Sequence, residues 1–282
     1  MKKPFSPIHK VTKHQPFAPK KSLGQNFLTS AVVPRWMCEA GEIEESDTIL
    51  EIGPGTGVLT REILARGASV IAVETDNRAV EILNETFVQE IASGKLRIVA
   101  DDIRTLQLDR LSLTNHSFKV IANIPYYLSG FLLRIFLENQ IQPSTLVFLM
   151  QKEVVARIAR EHKESILSLS VKAFGTPKYI KTVTSGHFSP TPKVDSAILQ
   201  ITDISHDNLP TVEKQELFFT ILHLGFGQKR KQLLANLAHN YLRTDLENVF
   251  QNLQIPLDAR AETITLSLWL SLTIELSKIS AK

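Results

Sequence analysis

Cysteine is almost missing from this 282-residue sequence, with Cys38 the only one. An internal disulfide is therefore excluded, and a reducing, cytoplasmic setting is the expectation. Cys38 follows Trp36 and Met37 in a helix-like stretch, which predicts a buried structural thiol rather than a reactive one. Long apolar runs are missing too. None approaches the ~20 residues needed to cross a bilayer, and no signal-peptide pattern is visible, so no membrane partner is expected. The histidines lack metal-ligand spacing, which predicts no metal. Acidic residues are absent from Met1 to Lys21, a segment that holds six lysines. With those six set aside, the other 26 of the 32 basic residues face 29 acids, so the net charge of +3 hides a basic leader on a mildly acidic body. Such a leader, over 1–20, can pair with phosphates or act only as a solubilising tail.

What is present fits a globular chain of one large domain and one small one. From Thr48 onward, short apolar runs alternate with amphipathic stretches. Strands are expected at Ile49–Ile52, Ser69–Val73, Leu96–Val99, Phe118–Ala122 and Thr145–Met150. Helices are expected at Val58–Arg66, Arg78–Ile91, Phe131–Leu137 and Glu153–Glu161. This alternation predicts an α/β fold with an open, mostly parallel sheet covered on both faces. Tyr179–Val183 and Val194–Ile201 read as a closing strand pair. Beyond Asp203 the spacing is helical at Glu213–Leu224, Lys229–His239, Arg243–Leu253 and Ala261–Ile279, which predicts a small all-helical domain over 205–282.

Between the first of these strands and the helix after it stands Glu51-Ile52-Gly53-Pro54-Gly55-Thr56-Gly57. Glycines there let a ligand approach backbone N–H groups at a helix start. The dinucleotide pattern G-x-G-x-x-G/A fails from Gly53, where the last position is Val58, and from Gly55, where it is Thr60. The spacing E-x-G-x-G-x-G instead resembles the first motif of Rossmann-like methyltransferases. Glu74, at the tip of the next strand, is positioned to accept both ribose hydroxyls of an adenosine. Asp101 could take the adenine amine, with Asp102 the competing choice; helix capping is the plain structural alternative for such acids.

The next strand runs into Asn123-Ile124-Pro125-Tyr126. An aromatic amine is a poor nucleophile because its lone pair is delocalised into the ring. Two acceptors gripping its two N–H groups favour a pyramidal nitrogen. The side-chain oxygen of Asn123 and the backbone carbonyl of Ile124 can be those acceptors. Pro125 fixes φ without adding an N–H, and Tyr126 offers a ring on which an extracted base can stack.

Asn123-Ile124-Pro125-Tyr126 is similar to the tetrapeptide of the ribosomal RNA adenine dimethyltransferases. Lys20 to Leu28 resembles that family's N-terminal motif, and the resemblance implies that Asn26 and Leu28 touch the cofactor. Met150 to Arg157, Phe188 to Ser196 and Gly225 to Lys231 resemble further family segments, with Phe188 implied as the second wall of the base pocket. The implied fold is a Rossmann-like S-adenosylmethionine-dependent methyltransferase domain over 21–204 followed by the helical domain. The implied activity is N6,N6-dimethylation of two adjacent adenosines near the 3′ end of small-subunit (16S) rRNA. S-adenosyl-L-methionine is the implied cofactor, and rRNA within an assembling 30S particle the implied partner, met by a monomer. The implied site is Asn123, Tyr126 and Phe188 for catalysis, with Asn26, Leu28, Gly53, Glu74, Asp101 and Asn123 on the cofactor. Two alternatives stand beside it: a large-subunit methyltransferase of the antibiotic-resistance type, and a non-catalytic assembly factor. One departure is visible, since Ile166-Leu167 stands where the family commonly has Tyr-Gly.

Lysines at 172, 178, 181 and 193 bracket Phe188 in a stretch without acids, and Lys229, Arg230 and Lys231 form a second cluster read as a helix start. Both are candidate phosphate contacts, with a solvated face as the alternative.

Overall fold

The computed structural model describes residues 26–279, so the basic leader and Lys20–Gln25 of the N-terminal motif lie outside the described residues. In chain order the elements are β1 (Phe27–Leu28), α1 (Val32–Ala40), β2 (Thr48–Ile52), α2 (Val58–Leu64), β3 (Ser69–Glu74), α3 (Asn77–Thr86), α4 (Val88–Ala92) and β4 (Leu96–Ala100). Then follow β5 (Lys119–Asn123), α5 (Ser129–Glu138), β6 (Thr145–Gln151), α6 (Lys152–Ala159), α7 (Ile166–Lys172), β7 (Thr176–Val183), β8 (Phe188–Ser189) and β9 (Ser196–Thr202). The last are α8 (Val212–Gly225), α9 (Leu233–Leu237), α10 (Arg243–Asn252) and α11 (Leu266–Leu276).

Seven strands form one sheet in the order β4-β3-β2-β5-β6-β9-β7. Five are parallel through β4, β3, β2, β5 and β6, and β9 runs antiparallel to both β6 and β7. The expected open sheet and its closing pair are thus present. Side chains alternate across each strand, and the alternation divides the core. Leu50, Val120, Phe148 and Leu199 join one apolar cluster, whereas Ile49, Ile121, Val147 and Ile198 join the other. The first cluster continues into the C-terminal helices through Phe218, Leu222 and Trp269, helped by Phe174 stacked on Phe219 at 6.3 Å. Every described element after Thr202 is helical. Cys38 lies fully buried in the second cluster, and burial pushes its thiol up to about 12.

Three elements differ from their expected form. The helix expected over Arg78–Ile91 breaks at Phe87, whose buried ring turns inward beside Gly57 and beneath the Arg61 guanidinium, 5.1 Å from the ring centroid. The helix expected over Lys229–His239 shortens to Leu233–Leu237, because Asn236 Nδ2 donates to the carbonyls of Gly225 and Gln228 and holds the preceding segment as a turn. The helix expected over Ala261–Ile279 begins only at Leu266. Thr265 caps it by accepting from the Leu268 N–H, after a short 3-10 turn over Ala261–Thr263. Among the described residues no helix is long and apolar enough to cross a membrane.

Candidate active site

The C-terminal ends of β2, β3, β4 and β5 open onto one cleft, where ligands bind in open α/β sheets. Its walls include Gly53, Glu74, Asp101, Asn123, Tyr126 and Phe188, so these expected site residues come together. Asn26 also lines it. Leu28 does not: its side chain is buried in the second apolar cluster, and the neighbouring Phe27 lines the cleft.

Three glycines shape the floor. Gly53, Gly55 and Gly57 all have positive φ, a region that costs residues bearing a Cβ. A Cβ on Gly57 would stand 2.5 Å from the Phe87 ring, and one on Gly55 2.9 Å from the Phe27 ring. A Cβ on Gly53 would meet nothing within 4 Å and would project into open space. Two of the glycines therefore serve packing, and Gly53 leaves open space on the floor.

Glu74 ends β3 with its side chain only 5% exposed. Its Oε2 accepts the Gly55 N–H at 3.1 Å and its Oε1 the Asp76 N–H at 2.9 Å, and the Thr75 N–H is also directed at this carboxylate. Burial pushes this carboxyl above the usual range, and the N–H groups of Asp76 and Gly55 hold it back. The cap of α3 is Asp76, not Glu74: its side chain accepts the Arg78 N–H and pairs with the Arg78 guanidinium at 2.6 Å. Beneath the loop, Glu51 is buried and accepts the Thr60 hydroxyl at 2.7 Å. Burial pushes its carboxyl up to about 8, opposed by that hydrogen bond and aided by repulsion from Glu74.

Of the two acids after β4, Asp102 is engaged by Arg104, whose Nε lies 3.0 and 2.9 Å from its two oxygens. That bond holds the Asp102 carboxyl below the ordinary range. Among the described residues the Asp101 side chain accepts only the N–H of Asp102, at 2.7 Å, and it is exposed to the cleft.

Asn123 is the last residue of β5. Its Nδ2 donates to the carbonyl of Asn26 at 3.1 Å, which fixes the amide orientation and leaves Oδ1 as an acceptor on the cleft. Tyr126 follows in a 3-10 turn, its hydroxyl bonded to Ser196 Oγ at 2.9 Å and its carbonyl accepting the Ser129 hydroxyl. Phe188 reaches the cleft through an element invisible in the sequence pattern. β1 and β8 pair antiparallel, with Phe27 opposite Ser189 and Leu28 opposite Phe188. The Thr29 N–H donates to the His187 carbonyl at 2.9 Å, and the Asp195 carboxylate accepts the Ser185 N–H at 3.1 Å. This ribbon ties the N-terminal segment to the loop before β9 and sets Asn26 against Asn123.

Most of the chain matches a known family. The model described as ribosomal RNA adenine dimethylase covers residues 17–278. The chain belongs to the ribosomal RNA adenine dimethylase family. The Ribosomal RNA small subunit methyltransferase A of Dehalococcoides mccartyi is 35% identical over 259 residues, 91% of this chain and 88% of that protein. The protein of the same name from Alkaliphilus oremlandii is 34% identical, over 87% of this chain and 88% of its own length. Among solved structures, a dimethyladenosine transferase from Plasmodium falciparum superposes with a TM-score of 0.76 at 24% identity, covering 89% of this chain and 97% of that one. The 23S rRNA methyltransferase ErmE superposes at 0.71 and 23% identity, covering 89% and 100%. At such identities the two structures speak for the Rossmann-like methyltransferase fold alone.

For a ribosomal RNA adenine dimethylase, the basic surface matters next. Lys172 is not a free rim cation, since its Nζ pairs with Glu164 at 2.6 Å. Lys178, Lys181 and Lys193 are exposed, and Lys181 sits 4.0 Å above the Trp36 ring. Lys229, Arg230 and Lys231 are exposed in the turn before α9 rather than in a helix, which removes the helix-end argument and leaves their charge. Sequence reasoning missed Phe27, Tyr127 and Ser196. The tandem tyrosine of Tyr126-Tyr127 was the available signal for one of them; nothing local marks the other two.

Proposed function

We propose that this ribosomal RNA adenine dimethylase converts two adjacent adenosines near the 3′ end of small-subunit rRNA to N6,N6-dimethyladenosine, with S-adenosylmethionine as methyl donor. The carrying observation is the Asn123 amide: one Nδ2 N–H goes to the Asn26 carbonyl, which orients the amide so that Oδ1 is offered to the cleft. That polarity suits an amine, which has hydrogens to donate. Oδ1 and the Ile124 carbonyl take the two N–H groups of the target, while the Tyr126 and Phe188 rings receive the base. No strong base is needed, because the amine becomes acidic only after transfer, and positioning supplies most of the rate.

The residues present suit the donor. Gly53 leaves room where a Cβ would intrude, and the Glu74 carboxylate faces the cleft for the ribose hydroxyls. Asp101 rather than Asp102 takes the adenine amine, since Arg104 holds Asp102. Asn26 supports Asn123, and Leu28 acts through the ribbon that carries Asn26. The bound donor supplies an electrophilic methyl on sulfonium.

The small subunit is favoured as target because relatives named for it match at 32–36% identity over most of the chain, whereas the 23S enzyme is alike in fold only. A monomer acting on an assembling 30S particle in the cytoplasm completes the reading. The test is single-turnover transfer of labelled methyl to unmodified small subunits, with the modified nucleotides mapped. Label on two neighbouring adenosines is expected, and Asn123→Ala should lose transfer while still binding the particle. Label on large subunits alone, or a parental rate in Asn123→Ala, overturns the reading.

A further inference from the structure

Immediately outside the cleft the chain carries an exposed stripe that the fold itself does not use. Residues 126–138 run from a 3-10 turn directly into α5, and the backbone at Leu128 and Ser129 is helical throughout. Tyr127, Gly130, Phe131 and Arg134 therefore fall at i, i+3, i+4 and i+7 on one face, and all four are exposed. Tyr127 is 58% exposed and Phe131 39%. Neither ring belongs to an apolar cluster, and among the described residues neither makes an aromatic contact. Tyr127 contrasts with its neighbour Tyr126, whose hydroxyl is held by Ser196. Gly130 adds no side chain, and a Cβ there would meet nothing within 4 Å, so the ground between the rings is bare.

The stripe begins in the cleft, since Tyr127 also lines it. It extends about 10 Å along the helix, the length of two to three stacked nucleotides at about 3.4 Å each. Two guanidinium groups flank it. Arg104 stands near the Tyr127 phenol and is 56% exposed; Arg134, at the far end, is 73% exposed. Arg104 holds Asp102 through Nε and Nη2, so its Nη1 edge is the part that can meet a phosphate, whereas the exposed Arg134–Glu138 pair is weak and can be exchanged for one.

We propose that Tyr127 and Phe131 are stacking platforms for the unpaired nucleotides flanking the base in the cleft, with Arg134 and Arg104 on the adjoining phosphates. The inference rests on the function proposed above. An aromatic ring accepts any base face, whereas apolar protein contact calls for a continuous apolar surface, and this stripe ends in arginine and is interrupted by glycine. A base drawn out of its stack leaves its neighbours unstacked on one side. Rings beside the cleft mouth would offset that loss and hold the strand while the second adenosine follows the first.

The test uses two probes: a hairpin RNA with two adjacent adenosines in its loop, and unmethylated small subunits. Tyr127→Ala and Phe131→Ala are each expected to weaken binding to both by about 5- to 100-fold, the scale of losing one stacked base. Tyr127→Trp is expected to restore it. In Phe131→Ala, which removes a ring outside the cleft lining, affinity for S-adenosylmethionine, measured by calorimetry, should stay parental. With 2-aminopurine beside the target adenosine, its quenching on binding should persist in the parent and Tyr127→Trp but vanish in Tyr127→Ala. Parental affinity of Tyr127→Ala and Phe131→Ala for both probes overturns the proposal. So does weakening confined to the particle, which would assign the stripe to a ribosomal protein. Parental methyl transfer to small subunits, measured first, keeps the two readings apart. If transfer is present and the stripe variants bind normally, only this inference fails; if transfer is absent, the function fails and takes the inference with it.

Discussion

Glu51 offers a measurement on the frame of the site that needs no RNA. It lies in β2 at 1% exposure, with the Thr60 hydroxyl 2.7 Å from Oε2. Burial pushes its carboxyl from 4.5 up to about 8. The unfolded chain releases this proton near pH 4.5 and the folded chain only near 8, so in that window the unfolded state binds fewer protons. Stability must therefore fall as pH rises through the window and level off above it. From 4.5 to pH 7 the span is about 2.5 units, and at about 1.4 kcal/mol each the ionisable group costs about 3 kcal/mol at neutral pH. Glu51→Gln keeps an acceptor for Thr60 and cannot ionise. The variant should match the parent near pH 4.5 and exceed it by about 3 kcal/mol at pH 7, with the gap closing as pH falls. Denaturant unfolding from pH 5 to 8, without cofactor so that linked binding does not contribute, measures the difference. Carboxyls not coupled to Glu51 titrate alike in both proteins and cancel, and Glu74, whose charge repels Glu51, is checked by repeating the comparison in a Glu74→Gln background. Parallel curves for parent and variant would refute the reasoning, because Glu51 would then be ionised in the folded chain at every pH sampled.

Glu74→Gln should weaken S-adenosylmethionine binding by about 1–3 kcal/mol, the scale of hydrogen bonds to a charged group, and unchanged calorimetric affinity would remove Glu74 from the ribose. Gly53→Ala and Gly57→Ala should separate two roles of one loop. At Gly57 the added Cβ meets Phe87 at 2.5 Å, so stability should drop by about 2–4 kcal/mol from overpacking and left-handed strain. At Gly53 only about 1 kcal/mol of strain is expected, with cofactor affinity reduced far more; thermal melts and calorimetry on both variants decide it. Replacing Lys229, Arg230 and Lys231 by Gln should flatten the salt dependence of particle binding by up to about one unit for each phosphate that is no longer neutralised, and a parental slope in filter binding would leave that turn a solvated face.

What could be read from the sequence was what short-range physics writes there. Fully buried parallel strands appear as apolar runs, and glycines in a loop after a strand announce positive φ, so the sheet and the floor of the cleft were legible. Long-range compensation was not. Phe87 interrupts a well-spaced helical pattern because its ring has a place beside Gly57, 30 residues earlier. Asn236 keeps Lys229–Lys231 out of a helix by bonding carbonyls of the turn before it. Neither effect has a periodicity to detect.

The same limit explains the site's least legible feature. Two-residue strands carry no pattern of their own, so nothing in Phe27-Leu28 or Phe188-Ser189 signals the ribbon they form. Yet the pairing sets Leu28 opposite Phe188 in one buried cluster, while Phe27 and Phe188 both reach the cleft. The register also brings the Asn26 carbonyl to Asn123 Nδ2, across 97 residues of sequence. An asparagine amide presents either end with equal ease until a partner chooses for it. Here the partner is a backbone carbonyl, which can only accept, so the amide oxygen is the end that remains for an amine. The local tetrapeptide thus names the candidate residue, but its chemical polarity is set by a ribbon that only the folded chain contains.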